Sequence, residues 1–204
     1  MNDKALAAGD LDAQELLHLA LKAMEEDRDA EAIGFLKRGI ALEPEDGRTH
    51  YLLGAMHAQL GMFERAVTEL QHAVRLAPHI DMAHFQLGLL QLTSGDVDSA
   101  RQAWAALSGL DAEHPLTLFS RGMLHLAADQ YDDCIACLRR GIELNTEHDA
   151  LNRDMVKVIE AAEKAHADVA NRGAEVAAGN VASNVAQHVL LAGYRPRSPG
   201  SGTE

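Results

Sequence analysis

The feature that most restricts this chain is a spacing. Leu53, Gly54, Ala66, Leu70, Ala73 and Pro78 have counterparts 34 residues earlier in Leu19, Ala20, Ala32, Leu36, Gly39 and Pro44. The pattern returns 34 residues later with Leu87, Gly88, Ala100, Trp104 and Leu107, and once more with Gly122, Cys134, Leu138 and Gly141. A period of that length marks a small unit that cannot bury its apolar face alone and must stack on copies of itself. The small residues have a mechanical reason. Ala20, Gly54, Gly88 and Gly122 fall where a neighbouring helix crosses closely, and Ala32, Ala66, Ala100 and Cys134 are the matching contacts. A larger side chain at such a place costs ~1–3 kcal/mol by overpacking.

The letters at these positions resemble the tetratricopeptide repeat family, in which each unit is a helix, a tight turn and a second helix. The resemblance covers about residues 13–148. It implies an all-α fold, a right-handed superhelical solenoid of four helix-turn-helix repeats plus a capping helix. The units would be 13–46, 47–80, 81–114 and 115–148, after a lead at 1–12 in which Asp12 or Asp10 caps the first helix. Gly61 and Gly95 separate the paired helices of the second and third units. Val97–Leu110 reads as the second helix of the third unit. Ala112 and Thr146 stand where proline is expected, and Arg121 replaces the leucine of Leu53 and Leu87, so the third-to-fourth junction departs most from the pattern. Residues 149–171 form one apolar stripe through Met155, Val158, Ile159, Ala162 and Ala165. They read as the cap that keeps the last apolar face from water. Residues 172–204 read as a flexible tail, weakly amphipathic at 180–192, which allows a short helix there.

Composition narrows the partners. The net charge of −13 would repel nucleic acid and anionic lipid, whose binding needs clustered Lys and Arg. The start of the chain lacks a secretory pattern, and no apolar run approaches the ~20 residues that span a bilayer. The expectation is a cytoplasmic protein with reduced cysteines, no membrane insertion and no cofactor.

In tetratricopeptide arrays the first helices line a concave groove, and the resemblance implies that partners lie there. In this chain those faces would carry Leu17, Leu21 and Met24; Tyr51 and Leu52; Met82, Phe85, Leu89 and Leu92; and Phe119, Met123 and Leu126. Family members that hold acidic chaperone tails use Lys, Asn and Arg on these faces, whereas Leu17, Leu21, Leu52, Met82 and Gln86 stand there here. An apolar groove calls for an apolar or amphipathic protein segment, because each buried Leu, Phe or Met contributes ~1.5–3 kcal/mol. Some of these side chains would equally serve as ordinary core. The expected role is a protein-interaction scaffold or chaperone-like adaptor, similar to small acidic secretion chaperones. The alternative is a self-associating subunit of an assembly such as a secretion apparatus. Its tail, 180–194, would dock in its own groove or a neighbour's; the tail could also pack beside the cap helix.

Two chemical motifs weigh less. His50, His57 and His84 invite a metal, but those slots take large interior side chains in this family and no acid or thiol joins them at ligand spacing. Cys134 and Cys137 have Cys-x-x-Cys spacing, yet they fall inside a helix, with Cys134 at a packing position. No phosphate loop or nucleophile elbow is present, so the sequence reads as a non-enzyme.

Overall fold

The computed structural model describes residues 11–172. Residues 1–10 and 173–204, including the helix expected at 180–192, lie outside the described residues. The described chain is all-α: α1 (Ala13–Glu25), α2 (Asp29–Leu42), α3 (Gly47–Gln59), α4 (Phe63–Leu76), α5 (Asp81–Thr93), α6 (Val97–Ala105), α7 (Pro115–Ala127), α8 (Tyr131–Leu144) and α9 (Asp149–Arg172). Helices α1 to α8 form four hairpins stacked in chain order, and α9 packs on α8. None of the described helices is long and apolar enough to cross a membrane.

Helix starts are fixed by local hydrogen bonds. Asp12 and Glu15 form a reciprocal capping box on α1, with Glu15 N donating to Asp12 at 2.8 Å and Asp12 N to Glu15 at 2.9 Å. Asp46 and Asp96 accept from the first turns of α3 and α6. The hairpin turns share one device. Asp27, Gly61, Gly95 and Asp129, each 34 residues from the next, are the positive-φ residues of the described chain. Gly takes that conformation without steric cost, and Asp tolerates it better than most side chains.

Within a hairpin, the close approach occurs between residues 16 apart. A Cβ on Gly54 would lie 2.9 Å from Leu70, and one on Gly122 would lie 2.7 Å from Leu138. On Gly88 it would strike the indole of Trp104, which is held in place by donating to the Phe85 carbonyl at 3.0 Å. In α9 the corresponding place is Val156, which is 42% exposed. The residues that make the hairpin turns elsewhere are replaced there by Glu163 and Lys164, good helix formers, and α9 runs on to Arg172.

One element differs from expectation. The helix expected over 97–110 is α-helical only to Ala105, and its last turn tightens into a 3-10 segment, Ala106–Gly109. Ser108 and Gly109 are poor helix formers, and a frayed end adopts the tighter turn readily. Arg121, at the place of buried Leu53 and Leu87, is exposed. The last junction is tied by Asn145. Its side chain bonds Asn152 at 2.8 Å and the His148 carbonyl, while Asn152 donates to the Asn145 carbonyl at 2.9 Å.

Two glycines therefore predict opposite outcomes. Gly88→Ala should lower unfolding free energy by about 2 kcal/mol through overpacking against Trp104. Gly34→Ala, in α2 with nothing within 4 Å of the added atom, should raise it by ~0.5–1 kcal/mol. Urea denaturation of both variants checks the pair.

Candidate functional site

The inner faces of the first helices divide into two halves. In the C-terminal half, Phe85, Leu89, Leu92, Phe119, Met123 and Leu126 are buried in one core cluster. It also takes in Met155, Val158, Ile159, Ala162 and Ala165 of α9. The Phe85 and Phe119 rings lie 6.3 Å apart between α5 and α7. These six residues present no surface to a partner; they are the core that the sequence allowed as their other role. In the N-terminal half, Leu17, Leu21, Met24, Tyr51, Leu52 and Met82 are only partly buried. Leu17, Met24 and Leu52 pack against the core shared by the first two units, and Tyr51 against the next cluster. Burial raises the Tyr51 phenol above its ordinary pKa. The face that remains open thus spans α1, α3 and the start of α5.

Gln86, in α5, stands among the inner-face positions and carries no charge. Its Oε1 is buried and lacks a donor. At one corner of the open face the α1–α2 turn concentrates charge, with Glu25, Glu26, Asp27, Asp29 and Glu31 around Arg28. Arg28 bonds both Glu26 and Glu31.

The histidines occupy different surroundings. His50 faces the Pro44 carbonyl with Nε2 at 3.0 Å and the Glu69 carboxylate with Nδ1 at 2.6 Å. Both partners are hydrogen-bond acceptors. His72 stacks on it at 5.0 Å. His84 repeats the proline contact at 3.2 Å, but Ala103 holds the place of Glu69 in its unit. No group of three His, Cys, Asp or Glu side chains among the described residues could hold a metal. His57 is buried, its Nδ1 has no partner among the described residues, and burial lowers its pKa, with Glu69 opposing the effect and Lys37 and Arg65 adding to it. The cysteines are free. Burial, with Cys137 adjacent, pushes the Cys134 thiol up to about 12 and also raises that of Cys137. A thiolate nucleophile is therefore disfavoured at both.

A neutral His57 in the folded state has a directional consequence. Below its ordinary value of 6.5 the unfolded chain takes up a proton there before the folded chain does. The His57 contribution to stability is complete above that pH and is lost as pH falls from 6.5 to the lower folded-state value. His57→Gln, the residue present 34 positions later as Gln91, should reduce the loss of stability between pH 7.5 and 5.5. Urea midpoints at the two pH values measure it.

Residues 47–80 match the tetratricopeptide repeat family model. The chain is 38% identical over 90 residues to human tetratricopeptide repeat protein 34, across 43% of this chain and 16% of that protein. It is 27% identical over 109 residues to the bovine BBSome complex member BBS4, across 53% of this chain and 21% of that protein. It therefore spans about a fifth or less of the length of these curated relatives. Among solved structures, MamA 41-end from Desulfovibrio magneticus RS-1 superposes with a TM-score of 0.56 at 20% identity, covering 83% of this chain and all of that one. A tetratricopeptide repeat protein from Parabacteroides merdae superposes at 0.61 and 16% identity, covering 92% and 74%. At such identities the likeness is one of fold.

Proposed function

Because the chain belongs to the tetratricopeptide repeat family, we propose that it is a non-catalytic protein-interaction scaffold. Its binding surface is the open inner face formed by Leu17, Leu21, Met24, Tyr51, Leu52 and Met82. The observation that carries this reading is the contrast in burial along one continuous set of repeat positions. The same positions are sealed by Phe85, Phe119 and the cap helix in the second half, while the first half keeps apolar side chains partly in water. A face that leaves leucine and methionine solvated in an array able to bury them is suited to a partner.

The guest that fits is an amphipathic or extended apolar segment. Two methionines let the surface adapt to its shape. Adaptor and chaperone-like roles both follow from such a mode. BBS4, by its name, is a member of a complex, and that is consistent with a role in holding proteins together. A fold of this kind presents surfaces, and the chemistry of the face decides what meets it.

Selection of peptides from a displayed library against the full chain tests the reading. Enriched peptides should carry apolar residues at helical or alternating spacing. Leu21→Glu and Leu52→Glu should each weaken their binding about tenfold or more, the equivalent of losing one buried leucine. Peptides whose affinity is unchanged by both substitutions would place the binding surface elsewhere.

A further inference from the structure

We propose that the open half of the inner face is covered, in the free protein, by the chain's own C-terminal segment, residues 181–197. This rests on the reading of that face as a peptide-binding surface and names its resident occupant. Three observations converge on this segment.

The first is charge. The chain holds 31 acidic residues, yet none lies between Glu175 and Glu204, and that interval carries Arg195 and Arg197. It is a locally cationic stretch on a strongly anionic protein. At the corner of the open face the α1–α2 turn offers Glu25, Glu26, Asp27, Asp29 and Glu31 with a single arginine among them. The sign of each surface is what the other requires.

The second is pattern. Val181, Ala182, Val185, Ala186, Val189 and Leu190 recur at helical spacing. They form one apolar stripe matched in kind to Leu17, Leu21, Tyr51 and Leu52.

The third is reach. Helix α9 ends at Arg172. First helices run parallel in a stack of hairpins, so α9 points toward the edge that holds the α1–α2 turn and, running on past the turn position at Glu163, ends ~14 Å beyond it. Residues 173–181 span up to ~30 Å when extended. Packed helices are ~8–10 Å apart, and α9 connects to α5 through α8 and α7. The segment therefore arrives over α5. As a helix, 181–195 would cover ~22 Å more, toward α1, bringing Arg195 and Arg197 to the acidic turn.

Hydrogen exchange of the full chain, without added peptide, tests this. Amides of 181–190 should exchange at least tenfold more slowly than the same sequence in a free peptide. The slowing should be independent of protein concentration and be lost in Leu52→Glu. Arg195→Glu with Arg197→Glu should also release the segment, and these substitutions cannot disturb the folded repeats. Unchanged protection of α7 amides in Leu52→Glu shows that the array itself is intact. Exchange at free-peptide rates overturns the proposal, as does protection that survives Leu52→Glu, which would place the segment elsewhere, for instance beside α9. Protection that rises with concentration alongside a dimer mass also overturns it, because the occupant is then a second copy's tail. Should the segment prove free while selected peptides still bind at Leu52, the binding surface stands and only its resident occupant is removed.

Discussion

The contact between a residue with little or no side chain on a first helix and a bulky residue 16 positions later governs the architecture. Ala20 with Leu36, Gly54 with Leu70, Gly88 with Trp104 and Gly122 with Leu138 occupy it in turn. Where glycine stands, the two helices come closer than any Cβ allows. This proximity fixes the tilt of each hairpin, and the tilt repeats because the spacing does. The positive-φ residues at the turns then need only return the chain at the right place, which is why aspartate and glycine both serve.

Much of this was legible because each unit states the same rule. Pro44 and Pro78, the alternation of small and large residues, and the apolar stripe of α9 all appear in the letters. The early end of α6 was not legible, since Ser108 and Gly109 shift a close balance between two helix types by small propensities. The His50–Glu69 pair was hidden for another reason. It joins residues 19 apart on different helices, and the sequence marks His50 and His84 as equivalent while only one of them has a carboxylate partner.

The inner face shows where repeat logic reaches its limit. Tyr51, Phe85 and Phe119 hold one repeat position, but Tyr51 is partly exposed and the other two are buried. Position within a unit specifies direction, whereas burial depends on what lies beside that unit. In the second half α5 meets α7, and α9 packs on α8 and adds its own apolar stripe to the same core. The first half has no such cover within the described residues. A uniform pattern thereby produces a molecule with two unlike halves, one sealed and one with its inner face partly open.

Val156 gives this array a polarity in how it could lengthen. Duplicating a unit between existing hairpins carries its own small and bulky partners with it, because that contact lies within a hairpin, so such an insertion keeps its internal fit. Adding a hairpin partner to α9 would instead set a branched side chain where the other glycine-bearing units have no Cβ, and that growth needs a substitution first. Gene-level expansion is thus steered inward by one isopropyl group, and the ninth helix behaves as a punctuation mark in the repeat.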